Sequence, residues 1–229
     1  APCAVPVGIK AFSTMLGHRV PDAAHFRYLG ECLTVGAPPA DELVEWMRAE
    51  GMARTRPLFE QALAEGITSF EDAPEPLRRF FDLVETVPDW VDPEALDLGA
   101  RVMRSGGADG LYIARDVSLC GGYMFSGFNQ TLLRTGALQK GSNTRFAETT
   151  RWALDVISEG GLAVGGAGYR STVRVRLIHA MVRRHVAGMD DWEPETWGLP
   201  INQTDMAATL VGSLIAPTVG GIPMGKIHR

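Results

Sequence analysis

The chain reads as an all-α protein. Apolar residues recur at helical spacing in segment after segment, and glycine and proline stand mostly at segment ends. No segment keeps a strand pattern over its whole length. The 229 residues allow one domain with a sizeable core of its own. Hydrophobic residues make up 45% and charged residues 21%, a globular composition that excludes a disordered or fibrous chain. The formal net charge of −5 speaks against a non-specific nucleic-acid binder.

The elements follow in order. Residues 1–22 hold Pro2, Pro6, Gly8, Gly17 and Pro21 and read as an irregular arm, and residues 23–229 read as one all-α domain. Ala24 to Gly36 is helix-permissive, with Gly36 as its stop. Pro38-Pro39-Ala40-Asp41 opens a helix through Leu43, Val44, Trp46 and Met47, which Gly51 closes. Arg56 to Glu65 repeats that logic up to Gly66. Behind Pro74 and Pro76, Leu77, Phe80, Phe81 and Val84 stand at i, i+3, i+4 and i+7. Asp92 before Pro93 is an N-cap followed by a proline at the first helical position, for a helix over Glu94 to Arg104. Asp109 to Leu133 is apolar nearly all round, which predicts burial, and Gly121, Gly122 and Gly127 allow close backbone approach. Asn143-Thr144 caps the next helix, through Phe146, Trp152 and Ile157. Gly165 to Gly168 is a turn, residues 171–187 form a further element, and Asn202 or Thr204 caps a helix through Leu210. Thr172 to Leu177 alternates with period two, a strand signal. The stretch runs on to Arg184 without alternation and is too long for a strand, so a helix is expected.

Several chemistries are excluded by spacing. Cys3, Cys32 and Cys120 form no CxxC and cannot all pair, so neither a zinc site nor a disulfide framework is expected; each reads as a small buried hydrophobe. No run of about 18 apolar residues occurs, so no membrane-spanning helix is expected. No signal peptide opens the chain, and its compartment, cytoplasmic or secreted, is left open. Gly165-Gly166-Ala167-Gly168-Tyr169 contains no GxGxxG and no GK[ST], and no GxSxG occurs. Pro200 to Asp205 reads as a tight helix entry.

Two constellations remain. Of His18, His25, His179, His185 and His228, His179 falls with Val175, Val182 and Val186 on one helical stripe. A buried neutral imidazole there needs a partner, either a backbone carbonyl or a metal, and a lone histidine in an apolar pocket suits a haem iron. Nothing at i+3 or i+4 completes an HExxH or di-iron pattern. His185, beside Arg183 and Arg184, reads as solvated. Arg145, Glu148, Thr149 and Trp152 share a second helix face, which is either a solvated first turn or part of a site.

The order of motifs resembles a known family. Arg145-Phe-Ala-Glu-Thr149 stands 34 residues before Val173-Arg-Val-Arg-Leu-Ile-His179-Ala-Met-Val-Arg183 when counted from Arg145 to His179. Pro200-Ile-Asn-Gln-Thr-Asp205 follows, and Val87-Pro-Asp-Trp-Val-Asp92 precedes. From about residue 40 to 215 this is similar to the latex-clearing protein (rubber oxygenase) and MpaB-type oxygenase family. The resemblance implies an all-α fold with a globin-like core around haem b. It implies His179 as the proximal iron ligand, with Arg145 and Thr149 near the haem. The implied activity is cleavage of a carbon–carbon double bond of an apolar, isoprenoid chain with O₂. An apolar channel involving Tyr123, Met124, Phe125 and Phe128 would admit such a chain, and the alternative for these side chains is plain core.

Two positions depart from the family pattern. Glu148 stands where a lysine is common, and Asn129 stands near where a glutamate base is proposed. Glu148, buried beside haem, could supply that base. The chain also stops soon after the matched region, as a compact member or a fragment would. The expected function is a haem b-dependent oxygenase acting on an apolar, isoprenoid alkene. The alternatives are a haem-binding sensor or carrier without oxygenase chemistry, and a cofactor-free helical interaction domain.

Overall fold

A computed structural model describes residues 5, 7–15, 17, 19, 20, 22–113, 126–137 and 141–212. Its regular structure is entirely helical, with no strand among the described residues. In chain order the α-helices are α1 (Val7–Met15), α2 (Ala23–Glu31), α3 (Pro38–Glu50), α4 (Met52–Glu65), α5 (Glu75–Glu85) and α6 (Pro93–Ser105). Then come α7 (Gly107–Ile113), α8 (Ser126–Arg134), α9 (Ser142–Val156), α10 (Ala167–Ala187), α11 (Pro194–Trp197) and α12 (Gln203–Leu210).

The core forms where apolar spacing is strongest. Ala40, Leu43, Val44 and Met47 make one buried stripe on α3. Phe59, Ala62 and Leu63 of α4 and Leu77, Phe80 and Phe81 of α5 close on it. Phe81 lies 5.4 Å by ring centroid from both Phe59 and Phe80, edge-on to Phe80 at 88°, the arrangement that ring quadrupoles favour. The fourth wall is α10, through Tyr169, Val173, Leu177 and Ala180. Val173 and Leu177 are therefore buried together four residues apart on a helix. The alternating Thr172–Leu177 pattern is overridden because burial on one side of a long helix outweighs a six-residue strand preference.

Capping follows the sequence. The Asp92 carboxylate accepts from the backbone N–H of Glu94 at 2.9 Å and of Ala95 at 3.3 Å, with Pro93 at the first helical position. Asn202 accepts from the Asp205 N–H at 2.9 Å and starts α12.

Three expectations are corrected. Residues 1–22 are not wholly irregular, because Val7–Met15 is a helix that Pro6 and Gly17 flank rather than interrupt. The segment after Ala23 does not stay helical to Gly36. It tightens to a 3-10 turn over Cys32–Thr34, and its carbonyls are then taken by distant donors. Leu199 N–H donates to Leu33 O at 2.8 Å, and Gln203 N–H to Val35 O at 2.9 Å. Asp109 to Leu133 is not buried all round at its described ends, where Tyr112 is 54% and Leu133 48% exposed. These ends lie away from the α3–α5 core, and α8 packs instead on the short α11. Residues 114–125, with Gly121 and Gly122, lie outside the described residues.

A buried arginine ties the layers together. Arg183 of α10 is 4% exposed; its Nη1 pairs with Asp41 of α3, and its Nη2 donates to Ile201 O at 2.9 Å. Asp41 in turn accepts from the Ala37 N–H at 2.9 Å. Gly36 is required beside this pair, since a Cβ there would stand 2.7 Å from Asp41 Oδ2 and 2.9 Å from Arg183 Cδ.

Removing one partner of a buried ion pair costs about 3–5 kcal/mol, whereas an exposed pair contributes about 1 kcal/mol or less. Arg183→Leu should therefore lower the urea-unfolding free energy by several-fold more than Arg174→Ala, which removes the half-exposed bond to Glu60. Equal losses in the two variants would show that Arg183 is no anchor.

Candidate functional site

The candidate site lies along the pair α9 and α10. Trp152 Nε1 donates to Thr172 Oγ1 at 3.0 Å. Gly168 lies so close to Val156 that a Cβ would be 2.5 Å from the Val156 Cα, which only glycine permits. Both contacts share one antiparallel register, in which each step back along α9 is a step forward along α10. That register sets Thr149 level with Val175, Glu148 level with Arg176, and Arg145 level with His179. The hairpin is sealed at its turn end, where Trp152 and Val156 are half-buried. It is open toward the other end, where Glu148 and Thr149 are exposed. The side chain of Arg145 lies outside the described residues.

α10 presents two stripes. Tyr169, Val173, Leu177 and Ala180 face the core. Thr172, Arg176, His179 and Arg183, at steps of four, three and four, begin on α9 and end in the Asp41 pair. His179 belongs to this second stripe. The apolar stripe expected around it is only half-buried at Val175, His179 and Val182, with Val186 buried, because the α3–α5 core occupies the opposite side of the helix.

His179 makes no hydrogen bond among the described residues. Burial first, and the positive charge of Arg183 second, push its pKa down to about 4. Its imidazole is therefore neutral near pH 7 and keeps a free lone pair, the form that ligates metals. Among the described residues no cluster of three or more His, Cys, Asp or Glu could hold a metal ion. The chemistry open to His179 is thus that of a single protein ligand.

The remaining predicted residues are dispersed. Phe128 and Asn129 are half-buried on α8, His25 and His185 are exposed, and Cys32 is half-buried with a free thiol. Tyr123, Met124, Phe125, Cys3, Cys120, His18 and His228 lie outside the described residues. Glu148 is exposed rather than buried, so the burial expected of a base beside a cofactor is absent from this arrangement.

Sequence reasoning missed two arginines. The i, i+4, i+7, i+11 spacing of Thr172, Arg176, His179 and Arg183 was available as a signal for Arg176 and Arg183 but is masked by the surrounding valines. It also missed Arg134, which lies over the Trp197 ring at 4.6 Å and donates to Asp191 O at 2.9 Å, fixing α8 to the α11 turn.

The described residues are thus all-α, and the candidate site offers one neutral histidine on the face of α10 that borders α9. Residues 107–219, which include α9 and α10, match the family described as ER-bound oxygenase mpaB/B'/Rubber oxygenase, catalytic domain. A Rubber oxygenase from Streptomyces sp. (strain K30) is 27% identical over 154 residues, covering 66% of this chain and 36% of that protein. No solved structure matches the chain. Over residues 107–219 the chain is similar to this oxygenase family, the resemblance its motifs carry, and it spans about a third of the length of the Streptomyces relative.

A histidine whose folded pKa lies below its unfolded value binds fewer protons in the folded state. Its stabilising contribution is present above the unfolded value near 6.5 and is lost as pH falls through about 4. Urea unfolding of the cofactor-free chain between pH 7 and pH 4 should show stability falling over that window. His179→Gln should flatten the slope, and an unchanged slope would place the titration elsewhere.

Proposed function

We propose that this chain is a haem b-dependent oxygenase that uses O₂ to cleave a carbon–carbon double bond of an apolar, isoprenoid alkene, with residues 23–229 as the oxygenase domain. The observation that carries the reading is His179, neutral, half-buried, and without a hydrogen-bond partner among the described residues.

The donor set fits this group and not others. A haem would bring its own porphyrin nitrogens to the iron and would need one nitrogen ligand from the protein, which His179 would supply. Zinc and di-iron centres need three or more protein ligands, and no such cluster occurs among the described residues. Val175 and Val182 beside His179 supply a half-buried apolar surface of the kind a flat macrocycle covers. When bound, haem supplies the iron chemistry that activates O₂. In this reading His179 holds the iron. Arg145 and Thr149, both on α9, would orient O₂ and supply hydrogen-bond donors to it. Glu148 is the carboxylate nearest in register for moving a proton, and Asn129 has no proton-accepting carboxylate to offer.

The exposure of Glu148 and the amide at Asn129 favour one second reading, a haem-binding sensor or carrier without oxygenase chemistry. A cofactor-free interaction domain is the third outcome.

A visible spectrum with a pyridine haemochrome assay should give about one haem b per chain. His179→Ala should lose it. Arg145→Ala should keep haem while alkene-dependent O₂ uptake falls by about 100-fold or more. A folded, colourless wild type overturns the reading. Haem without alkene-dependent O₂ uptake leaves the sensor or carrier.

A further inference from the structure

α10 carries five arginines, Arg170, Arg174, Arg176, Arg183 and Arg184, and four are engaged. Arg170 donates to Gly165 O. Arg174 forks onto Glu60, with Nε to Oε2 at 3.0 Å and Nη2 to Oε2 at 2.7 Å. Arg183 is held by Asp41 and Ile201 O, and Arg184 Nε lies 2.5 Å from Glu45 Oε1. Arg176 is the exception, with no hydrogen bond or ion pair among the described residues, although it is half-buried. Its place is not incidental. It lies on the stripe between Thr172 and His179, three residues before the histidine, a rise of about 4.5 Å along the helix. The carboxylate level with it, Glu148 on α9, is exposed and does not pair with it.

A guanidinium keeps its charge at any physiological pH, and one without a protein acceptor leaves its donors open to an anion that reaches it. The fork geometry of arginine suits a carboxylate best, through two parallel charge-assisted hydrogen bonds. Resting on the haem reading above, we propose that Arg176 anchors a propionate carboxylate of the prosthetic group while His179 takes its iron. α10 then grips the cofactor at two points one turn apart. The carboxylate contact fixes the rotation of the macrocycle about the iron–histidine axis, which one axial ligand leaves free.

The test separates this role from simple packing. Holoprotein is prepared with haemin or with haemin dimethyl ester, which lacks the propionate charges, and the rate of haem transfer to excess apomyoglobin is measured. Arg176→Gln should release haemin about 10- to 100-fold faster than wild type, the range a charge-assisted hydrogen bond covers. Arg176→Lys should recover part of the loss. The dimethyl ester should leave wild type and Arg176→Gln at rates within about 3-fold of each other, and far-ultraviolet circular dichroism should match among all variants. Equal haemin release from wild type and Arg176→Gln overturns the proposal. So does faster release of haemin and of its ester alike, which would mark a packing role. A wild type that takes up neither compound overturns the haem reading itself, a result visible before any Arg176 variant is made.

Discussion

Burial of the Arg183 guanidinium is the constraint on which the rest of the arrangement depends. A charge at 4% exposure is tolerated only where acceptors replace its water. Asp41 and the Ile201 carbonyl do so for the two terminal nitrogens, leaving Nε buried without an acceptor among the described residues, and each draws a separate part of the chain to α10. Asp41 lies in the first turn of α3 and also holds the Ala37 N–H, so the start of α3 is fixed to the C-terminal part of α10. Ile201 brings in the 199–203 segment with a left-handed backbone, φ 52, an uncommon and strained state for a β-branched residue. That segment then binds the carbonyls after α2 and ends the helix early. One buried charge thereby orders α2, α3, α10 and the entry to α12.

The same helix divides the protein into a tightly packed side and a loosely packed one. Toward α3, α4 and α5, α10 presents four buried residues to an aromatic core. Toward α9 its residues are only half-buried, and α6 has no buried residue at all. Local stability follows such burial, so the core side is the rigid platform. His179 stands at the boundary, half-buried on a helix whose other face is anchored in the core.

The family match covers residues 107–219, whereas most of the packed core lies in residues 38–85. The matched region thus contains α10 but not the helices that support its core face. Its structure depends on segments outside the match, through Leu177, Ala180 and Arg183. The electrostatics of His179 share that origin in part, since burial lowers its pKa most and Arg183, held nearby, opposes protonation as the smaller cause.

The sequence by itself determined the helices and their ends. Pro93 after Asp92, the Leu77–Phe81 spacing and the Asn202 cap are local features, and each acts within one or two turns of its own chain. It also singled out His179 and the Arg145–Thr149 face as candidates, because residue type and helical step are enough for that. Tertiary structure decided which side of α10 is buried, and periodicity could not, since apolar residues circle that helix and only the α3–α5 surface selects the Tyr169–Ala180 stripe. It decided that Arg183 is inside while Arg184, one residue on, is outside, because Asp41 is 142 positions away in the chain. It likewise decided that Glu148 is exposed. Burial is a property of the surfaces that meet, and no local pattern in a sequence contains the second surface.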